Sequence, residues 1–154
     1  MLTTPTKQKH AIFGNVLSSR GVLESVMSTL GVTFAPGLFE FIKGTAPPTI
    51  AYFKTLPTAC HRRWAVYLLV LEKQGCRPKI YVGSGTEARS GVSIRLDNYD
   101  KDVLVAAHVV KAFEDGYKIT HKGLLCWADI PTAAMVPVAR VLFVAMEAAF
   151  TFTF

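Results

Sequence analysis

The sequence predicts an α+β fold: a small three-stranded, largely antiparallel sheet flanked by helices, behind a helical N-terminal extension. Three observations predict it. Two apolar runs, from Trp64 to Glu72 and from Lys79 to Gly83, flank the turn-rich Gln74-Gly75-Cys76-Arg77-Pro78, which is the pattern of a β-hairpin with a long loop. Beyond this hairpin, helical patterns surround one further strand-like run, from Tyr117 to Ile130. Before it, two helical patterns each end at a glycine, and a Pro-rich break follows.

Composition bounds the reading. With 154 residues the chain suits one domain, or a smaller domain with an appendage. A chain that is 51% hydrophobic and 18% charged is a folded one. The most apolar stretch, 133 to 154, is interrupted by Pro137, Arg140 and Glu147, so a buried helix is expected and no membrane span. Residues 1 to 10 are polar and basic, with no apolar segment behind them that would make a secretory signal; this predicts an intracellular protein, nuclear or cytoplasmic. Cys60, Cys76 and Cys126 have no CxxC spacing, which argues against a disulfide framework and against a zinc site. The net charge of +6 suits a polyanionic partner.

Taken in order, residues 1 to 10 read as flexible. A helix from 19 to 30 is closed by Gly31, and a second, from 36 to 43, is stopped by Gly44. Leu23, Met27 and Leu30, with Phe39 and Ile42, give these helices an apolar stripe. Ala46-Pro47-Pro48 and Leu56-Pro57 read as a linker laid along the surface, and the domain boundary falls near residue 60, giving a division into 1–60 and 61–154. The run WAVYLLVLE predicts a strand covered on both faces. A loop is expected from 84 to 90 and a helix from 92 to 98. Asp100 and Asp102 then stand at the start of a helix ending before Gly116. Pro131 stops the third strand, and Pro137 opens a helix to about 150.

The hairpin sequences Ala65-Val66-Tyr67 and Tyr81-Val82-Gly83 resemble the two half-motifs that name the GIY-YIG nuclease superfamily. The order of elements after them, α-α-β-α, resembles that family too. Arg95 follows on the first helix, and Tyr99 comes one turn later, so both share one helix face. Glu147 is the only acidic residue of the last helical segment. The stretches GSGTEARSGVSIRL and HKGLLCW are similar to GIY-YIG-like proteins of filamentous fungi. The chain departs from the pattern at Ala65, where the family usually has Gly, and in a longer loop ahead of Arg95. Arg89 competes with Arg95, and the step to Tyr99 favours Arg95. The counterpart of a polar residue that many members carry after the last helix is missing before Phe154, which reads as a truncation.

The resemblance implies a metal-dependent endonuclease acting on DNA, with Tyr67, Tyr81, Arg95, Tyr99 and Glu147 as catalytic residues. Glu147 would hold one Mg²⁺ or Mn²⁺ ion, Arg95 would clamp the phosphate with its planar fork, and Tyr67 would be the general base, its pKa lowered by positive charge. Tyr81 and Tyr99 would position water and phosphate. Arg62, Arg63, Lys79, Arg89, His108 and Arg140 are candidate substrate contacts, with Lys73 and Arg77 also near the hairpin; a solvated rim is the alternative reading. Two other functions stay open. One is a degenerate GIY-YIG-like module that binds nucleic acid or protein without cutting. The other is a structural protein that associates with a partner or with itself through the N-terminal helices, for which an exposed Leu38, Phe39 and Phe41 patch is the expected sign.

Overall fold

A computed structural model of the chain describes residues 15–154. Residues 1–10, expected to be flexible, lie outside the described residues. The run of β-branched and aliphatic residues after Arg62 forms the central strand, β2 (Arg63–Glu72), buried from Trp64 to Leu71 as a strand covered on both faces should be. It pairs antiparallel with β3 (Lys79–Gly85), which extends the expected strand through Ser84, and with β4 (Lys118–Asp129).

A fourth strand corrects the expected three. β1 (Thr33–Phe34) pairs with β4 through Thr33 and Trp127, giving a sheet of order β1-β4-β2-β3 among the described residues. Two residues are too few to show any alternation, so only the pairing reveals this strand. β1 follows α1 (Arg20–Leu30), whose Ser19 hydroxyl accepts a hydrogen bond from the Val22 N–H and whose C-terminal Gly31 is left-handed at φ 62°.

The segment expected as a surface linker is also corrected. After α2 (Leu38–Lys43) comes α3 (Ile50–Phe53), which starts at Thr49, whose hydroxyl accepts from the Tyr52 N–H. Tyr52, Phe53 and Leu56 are buried, and the Pro57 carbonyl accepts a hydrogen bond from the Leu124 N–H. Prolines removed backbone donors here without keeping the side chains out of the core. Leu23, Met27, Leu30 and Ile42 pack against the core as the expected stripe, whereas Phe39 is 45% exposed and falls outside it, and Leu38 is fully buried, so the patch with Leu38 is absent.

Beyond the hairpin, α4 (Ser93–Asp100) is followed by α5 (Ala107–Glu114). The expectation that Asp100 and Asp102 open the second helix fails. Asp102 and Leu104 take left-handed φ values of 53° and 51°, which interrupts the helix until Ala107. The last helix, α6 (Val136–Thr153), has proline in its first turn.

Strand alternation divides the core. Trp64, Val66, Leu68 and Val70 face α6 and the N-terminal elements, in one cluster with Leu38, Phe53, Leu142 and Phe143. That cluster draws on residues from both sides of position 60. Trp64 and Phe143 meet edge-on at 6.1 Å, and each fully buried side chain of this size contributes about 1.5–3 kcal/mol. Ala65, Tyr67, Leu69 and Leu71 face α4 and α5, against Leu96, Tyr99 and Val109. The segment Ala133–Thr153 is long and apolar enough to cross a membrane by length and composition, and 28% of it is buried, with Ala139, Leu142, Phe143, Met146 and Phe150 packing one face of it on the sheet.

Candidate active site at the edge strand

Three tyrosines from three elements meet on the α4 face of the sheet. Tyr67 of β2, Tyr81 of β3 and Tyr99 of α4 have ring centroids 6.0–6.4 Å apart. The hydroxyls of Tyr67 and Tyr99 are hydrogen-bonded at 2.9 Å. Register explains how Tyr67 fits: it stands opposite Gly83, and a Cβ at Gly83 would lie 2.5 Å from the Tyr67 hydroxyl. The glycine of the second half-motif is therefore the seat of the tyrosine of the first. Ala65, the departure from the family pattern, is wholly buried opposite Gly85, where its methyl group is accommodated.

The protonation of these tyrosines reverses one expectation. Burial pushes the Tyr67 hydroxyl above the usual tyrosine value, although its hydrogen bond with Tyr99 and the nearby Arg95 guanidinium pull the other way. A general base needs the opposite shift, so Tyr67 is a protonated, enclosed group. Tyr99 is raised as well, by burial and by Tyr67. Tyr81, only partly buried, is pushed up to about 12 by burial, by Tyr99 and by the negative charge of Glu147, with Arg95 opposing.

Arg95 lies beside Tyr99 on α4, its guanidinium 5.8 Å from the ring centroid, and its Nη1 donates to the Leu104 carbonyl at 2.8 Å. Glu147 comes from α6 on the other face of the sheet. Its carboxylate accepts a hydrogen bond from the Ser84 hydroxyl, and Ser84 pairs with Val66 on the α6 side. Because β3 is the edge of the sheet, the two faces meet at its rim, which is how the charge of Glu147 reaches Tyr81. Ser84 belongs to β3, where the sequence predicts the start of a loop. Sequence alone offered no sign of its role beyond a hydroxyl two residues after a half-motif valine.

A groove of about 320 Å³ runs along this rim, lined by Ser84, Glu87, Arg95, Asn98 and Arg140. Arg140 also covers the Trp64 ring at 5.8 Å, and the Trp64 indole N–H donates to the Glu87 carbonyl. The loop beneath is held tightly. Gly91, at φ 64°, leaves no room for a side chain, since a Cβ would lie 2.1 Å from the Arg63 carbonyl oxygen. The remaining candidates are dispersed. Arg89 is exposed in that loop, where its N–H donates to the Glu87 carboxylate. Arg62 is exposed at φ 52°, and Arg63 donates to the Ala59 carbonyl while its guanidinium covers Trp127. Lys79 pairs with Asp115 and covers Tyr117. His108, with Lys79 and Lys111, lines a second groove that reaches Tyr81.

The oxygen donors at the rim, a carboxylate and a hydroxyl, suit a hard cation such as Mg²⁺ that keeps most of its ligands as water or phosphate oxygen. No group of three or more His, Cys, Asp or Glu able to hold an ion occurs among the described residues. A cation here would fall to the Glu147 carboxylate, since the Glu87 carboxylate of the same groove already accepts from the Arg89 and Ser90 N–H groups. No protein-family model, no curated protein and no solved structure matches the chain.

Proposed function

We propose that this chain is an intracellular, GIY-YIG-like, metal-dependent endonuclease that hydrolyses phosphodiester bonds in DNA. The observation that carries the reading is the groove in which Arg95 and Arg140 stand beside Ser84, which is hydrogen-bonded to Glu147, with Tyr81 at the same rim. Two fixed cations suit a phosphate, and the carboxylate suits the metal ion that a phosphate also attracts.

Glu147, its carboxylate oriented by the Ser84 hydroxyl, would hold one Mg²⁺ or Mn²⁺. The bound ion supplies charge stabilisation at the phosphate and at the leaving oxygen. Arg95 clamps the phosphate with its planar fork, and Arg140 anchors the neighbouring backbone. Tyr81, protonated at neutral pH, would donate a hydrogen bond to a non-bridging phosphate oxygen, while the attacking water releases its proton to solvent and the 3′ oxygen leaves as the P–O bond breaks, taking a proton from solvent. Tyr67 and Tyr99 fix the position of Tyr81 and Arg95 from beneath.

Cleavage of plasmid, branched DNA and RNA, with Mg²⁺ or with a chelator, tests this reading against Glu147→Ala and Arg95→Ala. Metal-dependent cutting of DNA by the wild type alone is expected. Equal background from all three proteins rejects it. The enclosure of Tyr67 and its raised pKa favour a second reading, a degenerate module that binds nucleic acid or a protein partner without cutting. Retained binding with no cleavage under any metal condition identifies that case.

A further inference from the structure

The loop between α4 and α5 carries the unusual feature of this rim. Leu104 is 75% exposed and sits at φ 51°, a conformation and an environment that leucine ordinarily avoids. Its carbonyl oxygen accepts the 2.8 Å hydrogen bond from Arg95, so the leucine is held at a set position relative to the guanidinium. Val103, 47% exposed, stands beside it, and Ile94, 44% exposed, lines the groove next to Arg95.

We infer that Leu104 is a wedge that enters a base step of duplex DNA next to the phosphate held by Arg95, unstacking that step to open the backbone for cleavage. The inference rests on the nuclease reading for the phosphate and on the loop for the wedge. Apolar side chains inserted between base pairs are a general means of kinking a duplex, and a nearby backbone contact sets where they enter. Here the left-handed backbone projects Leu104 outward, and the carbonyl of the same residue is tied to Arg95. Asp100, which would repel the backbone, is paired with Lys122. A protein surface would need a broader apolar area than this narrow tip.

The test uses the full chain with Leu104→Ala and Leu104→Phe, on duplexes carrying a fluorescent base analogue that brightens when unstacked and on matching duplexes with a mismatched step. Wild-type protein should brighten the analogue at one step, Leu104→Phe should do the same, and Leu104→Ala should not. Leu104→Ala should also cut paired duplex on the order of tenfold more slowly, with the mismatch restoring most of the loss because the unstacking is already present. An equal loss on paired and mismatched duplexes assigns the loop to holding Arg95 and overturns the wedge, as does bound wild-type protein that brightens no position. Binding and brightening without cutting rejects the nuclease reading and keeps the wedge; failure to bind duplex rejects both.

Discussion

The hydroxyls of Tyr67 and Tyr99 lie 2.9 Å apart in the interior, one on the central strand and the other on the helix that carries Arg95. Each satisfies the other's polar atom, and no buried side-chain oxygen or nitrogen is left without a partner among the described residues. Replacing Tyr67 by Phe removes this hydrogen bond and leaves Tyr99 with Tyr81 as its neighbour, which should cost about 1 kcal/mol in urea unfolding. Tyr67→Phe/Tyr99→Phe, which removes both hydroxyls, should cost less than the two single changes added together. Strict additivity would mean that the pair is not coupled.

The tyrosine cluster sets an alkaline limit on stability. Burial raises Tyr67, Tyr81 and Tyr99 above the ordinary tyrosine value of 10.0, Tyr81 to about 12. The folded state then holds protons that the unfolded chain has released, so the cluster's contribution is complete below pH 10 and is lost as pH climbs through about 12. Thermal unfolding between pH 8 and pH 12 should show a flat region and then a steep fall in Tm. Tyr81→Phe should soften that fall; an unchanged profile would assign it to other groups.

Gly83 is a steric requirement of the same cluster. Gly83→Ala puts a methyl group 2.5 Å from the Tyr67 hydroxyl and 2.7 Å from its Cζ, so the ring must shift within a packed interior. A loss of about 1–3 kcal/mol is expected, with partial recovery when Tyr67→Phe is added. Urea titration of the single and double variants reads both, and a neutral Gly83→Ala would show that the ring can give.

Ser84 separates a metal-positioning role from a structural one. In Ser84→Ala the Glu147 carboxylate loses its hydroxyl donor, which should raise the Mg²⁺ concentration needed for half-maximal cleavage by about 10–100-fold. The rate at saturating metal should change much less, and Ser84→Thr should restore much of the affinity. A lower rate with unchanged metal dependence would detach Ser84 from the ion.

Glu147 and Tyr81 are linked through charge. The carboxylate helps to raise Tyr81, so Glu147→Gln should lower the pH at which Tyr81 ionises, seen as tyrosinate absorbance that rises earlier in Glu147→Gln than in wild type, a difference that disappears when Tyr81→Phe is added to both. Identical titrations for Glu147→Gln and wild type would place the two groups too far apart for a shared site.

Arg140 and Arg95 are expected to differ in kind. Arg95→Ala should slow cleavage by on the order of 10²–10³, the effect of losing a charge that stabilises the reacting phosphate. Arg140→Ala should weaken binding on all sequences and reduce the salt dependence of affinity by about one unit of slope. Fluorescence titrations at several salt concentrations, beside single-turnover rates, distinguish the two roles.

Elements whose signal is local were legible along the chain. Continuous apolar residues from Trp64 to Leu71 specified a strand covered on both faces, Gly31 specified the end of α1, and Pro137 specified the start of α6. The step from Arg95 to Tyr99 needed only helix geometry. Only the tertiary structure decided the rest, because the deciding partner is remote in the chain. Thr33 and Phe34 became a strand through β4, and Tyr52, Phe53 and Leu56 became core despite the prolines around them. Asp102 could not open a helix once its backbone had turned left-handed. The protonation of Tyr67 depended on how far packing removed it from water, which outweighed the positive charge that the sequence places nearby in Arg95. Ser84 met Glu147 across 63 residues because β3 forms the edge of the sheet and α6 packs against it, a juxtaposition that no local pattern encodes.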